Sequence, residues 1–335
     1  MKNIELPRRV VVGDNAVNYI SRVCRELDLA GNSLVISDEI TYKVAGKKVA
    51  ESLGSELVII ETKVPDFKEI LRCIKNKKIN FISGVGGGKV IDTAKYTSYK
   101  SKIPFLSIPT SAAHDGITSP LVSLKKDKPI SIKARSPVAI IADTNIIKKA
   151  PHRLLAAGCA DAISNYTAVL DWKLAHKEKG EYYGDYASSL SMLSAQIVMD
   201  NAKKISDDVS IVVEALISSG VAIGIADSSR PCSGSEHLFS HALDIICPKP
   251  ALHGEQCGVG TIMIAYLHGD ENWKKIKEAL KIIGAPVTAE ELGIENEYII
   301  KALTIAASLR DRYTILRDGL SEKEAEGLAE ATGVI

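Results

Sequence analysis

The pattern of hydrophobic and polar positions changes character near residue 150. Before it, short apolar runs rich in β-branched residues alternate with stretches whose apolar positions recur about every 3.6 residues. The strand candidates are RRVVVG, SLVISD, ELVIIE, INFISGVGG, PFLSIPT and VAIIADT. Several of these runs are apolar throughout, which suits parallel strands covered on both faces. This half therefore predicts an α/β domain with an open, doubly wound, Rossmann-like parallel sheet.

The second half is rich in Ala, Leu, Ile and Ser at helical spacing instead. Long helices are predicted over CADAISNYTAVLDWKLAHKEK, DYASSLSMLSAQIVMDNAKKI, VSIVVEALISSGVAIGIA and NWKKIKEALKIIG. The boundary is placed near Pro151, after the last strand. The sequence thus predicts an α/β domain over residues 1–150 and an all-helical domain over 151–335, in a chain longer than one core usually supports.

Composition narrows the choice of partners. The net charge is +1, with 25% charged and 46% hydrophobic residues, so neither nucleic acid nor an anionic membrane is an expected partner. No apolar run approaches the roughly 20 residues that cross a bilayer. The N-terminal segment lacks the apolar core of a signal peptide, and the six cysteines form no C-x-x-C pair. We expect a cytoplasmic protein that is not embedded in a membrane.

A glycine-rich turn follows the fourth apolar run. Between strand and helix, INFISGVGGGKVIDTAKY contains Gly84, Gly86, Gly87 and Gly88. Glycines at this point let the backbone approach a pyrophosphate, and the N-terminus of the helix attracts its charge. The spacing matches neither the G-x-G-x-x-G fingerprint nor the P-loop pattern. Taken alone, the run is equally compatible with a tight turn that needs positive φ.

The next strand leads into a loop with many hydroxyl groups. The segment SIPTSAAHDGITSP carries Thr110, Ser111, His114, Asp115 and Ser119. Loops at the carboxyl ends of strands in open α/β sheets are where ligands bind, so a cofactor-facing role is a reasonable hypothesis. Serine and threonine are also ordinary turn formers, and residue type alone favours a structural turn over a cofactor site.

Three of the seven histidines lie close together in GSEHLFSHALDIICPKPALHGEQC. His237 and His241 are spaced i,i+4 and share one helix face, and His253 is expected in a loop after two prolines. Asp161 and Asn165 form a second i,i+4 pair. Imidazoles with a carboxylate suit zinc or ferrous iron.

Spacing alone leaves several sets of four ligands open. Softer ligands are also available, although each is interpreted as a small buried apolar residue because none has paired spacing: Cys232, Cys247 and Cys257.

At these motifs the sequence resembles a known family. GVGGGKVIDTAK, SIPTSAAHDGITSP, AAGCADAISNYTAVLDWKLAH, SSRPCSGSEHLFSHALD and ALHGEQCGVGTIM together resemble the archaeal sn-glycerol-1-phosphate dehydrogenases. These belong to the glycerol dehydrogenase and iron-containing alcohol dehydrogenase superfamily. The resemblance covers essentially the whole chain. It implies a dinucleotide-binding domain followed by a helical metal domain, the dehydroquinate synthase-like or iron-containing alcohol dehydrogenase-like plan.

The resemblance also implies site residues. It implies one zinc ion per subunit, held by Asp161, His237 and His253. It assigns substrate contact and catalysis to His241, Asp115 and Asp161. It implies that NADH or NADPH is lined by Gly88, Lys89, Val90, Ile91, Asp92, Thr110, Ser111, Ala112, Ala113 and Ser119. Related iron-containing enzymes place a fourth ligand where this chain has Asn165, and an amide there agrees with an open coordination position.

The implied reaction is the reversible reduction of dihydroxyacetone phosphate to sn-glycerol 1-phosphate, the backbone of archaeal membrane phospholipids. The proton is expected from His241, or from a metal-bound water relayed through Asp115. The rival interpretations are a zinc-dependent glycerol dehydrogenase and a dehydroquinate-synthase-like lyase. A homo-oligomer is expected because the superfamily commonly forms one.

The choice between NAD and NADP, and the position of the substrate phosphate, are each suggested by a few residues only. Asp38 and Glu39 follow the second strand, where an acid favours NAD by binding a ribose hydroxyl. The resembled family accepts both nucleotides, so dual use is predicted. Arg230 and Lys249 are candidate cations for the substrate phosphate, but a surface position is expected for both.

Overall fold

The computed structural model of the protein describes residues 4–61, 66–125 and 129–335. The chain divides into two compact units, and the main division falls between Leu154 and Leu155. The sequence pattern placed it four residues earlier, after residue 150. The difference arises because the first long helix begins at His152, and its first residues cluster with the preceding unit.

The described residues contain eight strands: β1 (Arg9–Gly13), β2 (Ser33–Ser37), β3 (Glu56–Ile59), β4 (Phe81–Gly86), β5 (Phe105–Pro109), β6 (Leu121–Lys125), β7 (Pro129–Lys133) and β8 (Ala139–Asp143). Six of them form one parallel sheet in the order β1-β8-β5-β4-β2-β3. All six coincide with the predicted runs. The other two, β6 and β7, pair in a separate sheet that the sequence pattern did not predict.

The central strands β2 and β4 are buried along their whole length because both of their faces are covered. Along β2, Val35 packs into one core, whereas Leu34 and Ile36 pack into the other. Adjacent β4 divides in the same way, with Val85 in the first core and Ile82 in the second. Successive side chains of a strand point to opposite faces, so a strand between two cores has no polar side.

Helices cover both faces of this sheet. They are α1 (Ile20–Glu26), α2 (Glu39–Thr41), α3 (Lys47–Leu53), α4 (Phe67–Lys77), α5 (Gly88–Ser101) and α6 (Thr144–Ile147). Helices α1 and α3 contribute to one core, and α4 and α5 contribute to the other. The doubly wound prediction is confirmed. The order of the strands changes direction between β2 and β4, because β3 lies on one side of β2 and β4 lies on the other. In this architecture a ligand usually binds at the carboxyl ends of the two strands that flank such a point.

The second unit is helical throughout its described residues. Its helices are α7 (His152–Lys179), α8 (Asp185–Asp200), α9 (Ser210–Ala226), α10 (Ser235–Ile246), α11 (His253–Leu267), α12 (Trp273–Ile283), α13 (Ala289–Leu292), α14 (Asn296–Ile305) and α15 (Glu322–Ala331). Residues 254–265 of α11 are all buried, so this helix lies in the core and shows no polar face. Within the part of the chain described, no helix combines the length and the apolar character that a membrane crossing requires.

Candidate functional site

Two glycines of the turn after β4 are required by packing. A Cβ on Gly84 would lie 2.7 Å from the Cβ of Ala94, and a Cβ on Gly86 would lie 2.7 Å from Val90. Both contacts are with α5. These glycines therefore let α5 pack closely against the end of β4, as the third glycine of a dinucleotide fingerprint does.

Gly87 has a different environment. It is the N-cap of α5 with an ordinary φ of −78°, and an added Cβ would meet only the hydroxyl of Ser111, at 3.7 Å. The space above it therefore remains open at the N-terminus of α5, where first-turn N–H groups have no partner within the helix. A diphosphate fits such a cradle, because N–H groups and the helix dipole both favour an anion.

The imidazole of His114 lies between Gly88 and Gly116. A Cβ on Gly88 would be 2.0 Å from its Nε2, and one on Gly116 would be 2.2 Å from its Cε1. The N–H of Gly116 donates to Nδ1 at 2.9 Å, so the neutral ring carries its proton on Nε2. The loop after β5 is thus attached to the first turn of α5, a contact that no local sequence pattern predicts.

The structure brings together the two segments predicted to line the cofactor. Thr110 directly follows β5, and its N–H donates to the carbonyl of Gly86 at 3.1 Å. Ser111, Ala112 and Ala113 follow Thr110 in the same loop. In the other segment, the side chains of Val90 and Ile91 are buried in the core, so only their backbone can face a ligand. Lys89 donates to the carbonyl of Glu61 at 2.9 Å.

A buried lysine supports this loop. Lys95 is fully buried and donates to the carbonyls of Gly116 at 2.9 Å and Leu121 at 2.7 Å, and to Asp92 Oδ1 at 3.3 Å. Asp92 Oδ2 also accepts from the N–H of Ser123 at 3.0 Å. The structure therefore gives the Asp92 carboxylate a supporting contact, and its predicted contact with the cofactor stays a prediction. Lys95 was missed, although its i,i+3 spacing from Asp92 was visible.

The remaining predicted residues of this unit lie in or beside the same loop. Asp115 begins a turn of 3-10 helix, and its carbonyl accepts from the N–H groups of Thr118 and Ser119. The hydroxyl of Ser119 accepts from Leu121 N–H at 3.1 Å. At the end of β2, Asp38 caps α2 by accepting from the N–H of Thr41 at 2.7 Å.

In the helical unit, four side chains converge. The ligand atoms of Asp161, His237, His253 and Cys257 all lie within 4.8 Å of one another. Asp161 Oδ1 is 3.9 Å from His237 Nε2 and 3.8 Å from His253 Nε2. The three predicted ligands come from α7, α10 and α11, and the structure brings them together.

Close packing of α11 on α7 explains how His253 reaches Asp161. A Cβ on Gly254 would lie 2.0 Å from the carbonyl oxygen of Ala157, so only glycine permits this approach. His253 is the first residue of α11, not a loop residue as expected. The helix starts there because Glu255 accepts from the N–H of Leu252 at 3.0 Å.

Cys257, which the sequence offered as a softer ligand but which we interpreted as a buried apolar residue, is the fourth member of the group. It is buried, as expected, but its Sγ lies 3.6 Å from Nε2 of His253. A tetrahedral zinc ion with bonds of about 2.3 Å to sulfur and about 2.0 Å to nitrogen would hold two such atoms about 3.5 Å apart. The spacing i,i+4 from His253 on one helix face was the available signal.

A buried glutamate orients His237. Glu236 accepts from His237 Nδ1 at 2.9 Å, from Gly234 N–H at 2.6 Å and from the Thr167 hydroxyl at 2.8 Å. Burial opposes its ionisation, but the hydrogen bond and charge of His237, with the two other donors, bring the pKa of Glu236 below its usual value. With Nδ1 occupied, Nε2 is the nitrogen directed towards Asp161.

The contacts within this group also shift the pKa values of His237 and Cys257. Burial lowers the pKa of His237, but the neighbouring Cys257 and Glu236 outweigh it and raise that pKa well above the usual value. Burial raises the pKa of the Cys257 thiol to about 11. On the second histidine, His253 Nδ1 is 3.0 Å from the hydroxyl of Ser240, which also accepts from Gln256 Nε2. Imidazole, carboxylate and thiol donors held by such partners fit zinc or ferrous iron.

His241 and Asn165 lie outside this group of four. The ring of His241 is 6.4 Å from that of His237 and 5.8 Å from that of His253. Its Nε2 is 3.3 Å from Nη2 of Arg310. A guanidinium can only donate, so Nε2 is the acceptor in this contact. Asn165 instead donates to the hydroxyl of Ser219 at 2.7 Å.

Comparison with known proteins identifies the family of the chain. Residues 11–151 match the family described as iron-containing alcohol dehydrogenase. The glycerol-1-phosphate dehydrogenase (NAD(P)+) of Thermococcus sibiricus is 52% identical, covering 100% of this chain and 99% of that protein. The protein of the same name from Methanosarcina mazei is also 52% identical, covering 100% of this chain and 97% of that protein.

Solved structures share the fold at low sequence identity. Glycerol dehydrogenase from Schizosaccharomyces pombe superposes with a TM-score of 0.79 at 20% identity, covering 99% of this chain and 90% of that one. A probable glycerol dehydrogenase from Sinorhizobium meliloti gives 0.80 at 17% identity, covering 99% and 98%. The predicted fold plan and the resemblance are both confirmed. This chain belongs to the glycerol-1-phosphate dehydrogenase (NAD(P)+) family of oxidoreductases, within the iron-containing alcohol dehydrogenase superfamily.

Proposed function

We propose that the protein reduces dihydroxyacetone phosphate to sn-glycerol 1-phosphate with NADH or NADPH, at a zinc ion held by Asp161, His237 and His253, and so supplies the backbone of archaeal membrane phospholipids. The observation that carries the proposal is the convergence of these three ligand atoms in a chain 52% identical to proteins named glycerol-1-phosphate dehydrogenase. Zinc would supply a positive charge that polarises the ketone, and the nicotinamide would supply the hydride.

The helical unit contributes the ligands and their orientation. Glu236 holds His237 in the tautomer whose Nε2 can coordinate, and Ser240 holds His253 in the same way. Burial of Asp161 excludes water from the carboxylate. These contacts prepare the coordination geometry before a metal arrives, which limits the rearrangement that binding requires.

The contact with Arg310 fixes the tautomer of a neutral His241. Because Nε2 accepts from Arg310, a neutral ring carries its proton on Nδ1, and Nε2 has no proton to give while this contact persists. We propose that the substrate takes over the Arg310 guanidinium, so that Nε2 of His241 can take a proton from solvent and deliver it to the substrate oxygen as the hydride reaches the carbonyl carbon. The alternative route through Asp115 stays a prediction.

The α/β unit contributes the cofactor cradle. The open space above Gly87, the first-turn amides from Gly88 onwards, and the neighbouring Thr110 and Ser111 support a pyrophosphate position at the N-terminus of α5. Asp38 caps α2 with its carboxylate, so the residue predicted to favour NAD has a local structural role as well. Use of both nucleotides remains our expectation.

Metal analysis and one oxidation assay test the proposal. The purified protein should contain zinc and should oxidise NADH and NADPH with dihydroxyacetone phosphate, forming the sn-1 isomer. Asp161→Ala should lose zinc and turnover together, whereas His241→Ala should keep zinc and lose turnover.

Each rival gives a different result. Faster reduction of dihydroxyacetone than of its phosphate would indicate a glycerol dehydrogenase. Net NADH oxidation with dihydroxyacetone phosphate would exclude a lyase, which retains its cofactor through the catalytic cycle. Iron in place of zinc would overturn the metal assignment. Light scattering checks the expected homo-oligomer, and subcellular fractionation checks the expected cytoplasmic location.

A further inference from the structure

A cavity in the helical unit is lined by an unusual number of arginines. Its volume is about 880 Å³. The lining carries five basic and four acidic side chains, and the two sets differ in how exposed they are. Arg230 is buried and Arg310 and Arg312 are half-buried, whereas most of the acids are exposed: Asp227, Asp311 and Asp318. The more buried part of the lining is therefore positive, whereas the exposed part mixes these acids with Lys179 and Arg317.

The arginines are held in place by specific contacts. Arg230 donates to the carbonyl of Tyr313 at 2.8 Å and pairs with Glu181. Arg312 donates to the hydroxyl of Ser229 at 2.7 Å and to the carbonyl of Ser233. Arg230 thus does not occupy the surface position expected from the sequence. These bonds fix the guanidinium groups before any ligand enters.

Keeping three like charges together is unfavourable without an anion. Burial, and then the charges of Arg230 and Arg310, lower the pKa of Arg312 to about 10. Burial likewise lowers the pKa of Arg310. Glu181 pairs with Arg230. An entering dianion would relieve this repulsion, and guanidinium forks match the oxygens of a phosphate group.

Arg310 links the cavity to the proposed reaction site. Its Nη2 is 3.3 Å from Nε2 of His241, the histidine we place beside the substrate. A guanidinium presents several N–H donors in one plane, so phosphate oxygens can take over the donor that His241 accepts from. In a phosphorylated three-carbon ketone, only three bonds separate the carbonyl carbon from phosphorus. One molecule of that size can therefore contact His241 and Arg310 together.

We infer that this cavity binds a phosphate monoester through Arg310, with Arg312 and Arg230 supplying the surrounding positive charge, and that the phosphate is the one carried by the substrate. The inference rests on the proposed function and identifies the residues that would make the enzyme select a phosphorylated ketone. Arg310 is a binding residue in this scheme, and the other two arginines preform the site.

The test compares two ketones in three variants. For wild type, Arg310→Gln, Arg310→Lys and the control Arg317→Gln, kcat/KM is measured with dihydroxyacetone phosphate and with dihydroxyacetone. Arg310→Gln should reduce the preference for the phosphorylated ketone by about 10- to 100-fold, the value of one charged hydrogen-bonding partner. Any effect through His241 alters both substrates and cancels in this ratio. Arg310→Lys should recover part of the preference, because it keeps the charge but loses the fork.

Arg317 is the matched control, since it lines the same cavity at an exposed position. Arg317→Gln should change the preference by less than about twofold, because a solvated charge is screened. Equal losses for both ketones in Arg310→Gln would overturn the inference.

Inorganic phosphate provides a second readout that does not depend on turnover. It should raise the melting temperature of the metal-loaded wild type, and this shift should shrink in Arg310→Gln. It should also inhibit competitively against dihydroxyacetone phosphate. Noncompetitive inhibition would mean a separate effector site and would overturn the assignment to substrate. If the wild type fails to reduce dihydroxyacetone phosphate, the proposed function is wrong, and the melting shift alone then decides whether Arg310 binds phosphate.

Discussion

The carboxylate of Glu236 accepts a hydrogen bond from Nδ1 of its sequence neighbour His237, and this contact directs Nε2 of the same ring towards Asp161. The pairing of a buried acid with a ligating histidine sets both the tautomer and the orientation of the ring. Neither residue could do this alone, because an unrestrained imidazole can present either nitrogen.

Substitution of Glu236 by glutamine should weaken metal retention without unfolding the protein. The amide oxygen can accept from His237 and Gly234, and the amide nitrogen can donate to Thr167, whose hydroxyl also contacts the carbonyl of Ser164 at 3.1 Å. Loss of the negative charge should reduce zinc affinity by about 10- to 100-fold. Competition with a chromogenic chelator measures this, with the exposed Glu214→Gln as control. Unchanged affinity in Glu236→Gln would mean that the contact does not orient the ligand.

Cys257 should behave as a fourth metal ligand while no substrate is bound, and the ketone oxygen would then enter as a fifth ligand. Its Sγ is at the distance from His253 Nε2 that a shared tetrahedral ion requires. Protein loaded with Co²⁺ should therefore show near-ultraviolet absorption from sulfur bound to cobalt, and Cys257→Ala should lose this band and bind metal more weakly. Cys247→Ala, a cysteine outside the group of four, should keep it. An identical spectrum in Cys257→Ala would remove the thiol from the coordination sphere.

Gly87→Ala should impair cofactor binding without loss of stability. The φ of −78° suits alanine, and the added Cβ has room, so the melting temperature should stay constant or rise slightly. The methyl group would occupy the space proposed for the pyrophosphate, so KM for NADH and NADPH should increase about tenfold or more. Gly88→Ala is the contrasting variant: its Cβ meets the His114 ring, and it should lower the melting temperature. If Gly87→Ala leaves KM unaltered, the cofactor does not pass over this glycine.

Lys95→Met should destabilise the α/β unit. The side chain is fully buried, and its removal leaves two backbone carbonyls and the Asp92 carboxylate without their lysine donor. The free energy of unfolding should fall by about 3 kcal/mol, the cost expected for unsatisfied buried groups. Chemical denaturation measures the change, and Lys100→Met, on the exposed end of α5, serves as control. Equal stability of the two variants would show that Lys95 does not support the loop.

Sequence patterns predicted the elements better than their contacts. The six strands of the parallel sheet coincide with apolar runs, because each central strand is covered on both faces. Strands β6 and β7 were not predicted from the hydrophobic pattern. His253 was expected in a loop because two prolines precede it, whereas Glu255 starts the helix at that residue. A short-range cap thus outweighed the signal of the prolines.

By itself, the sequence determined the two halves, the glycine turn and the residues that match the family motifs, because these depend on local spacing and residue type. Only the tertiary structure decided that Cys257 joins Asp161, His237 and His253, that Lys95 is buried, and that Arg230, Arg310 and Arg312 face one cavity. The physical reason is that local patterns report which face of an element is buried. Distances between side chains far apart in the chain depend on how helices pack, as with Gly254 of α11 against Ala157 of α7.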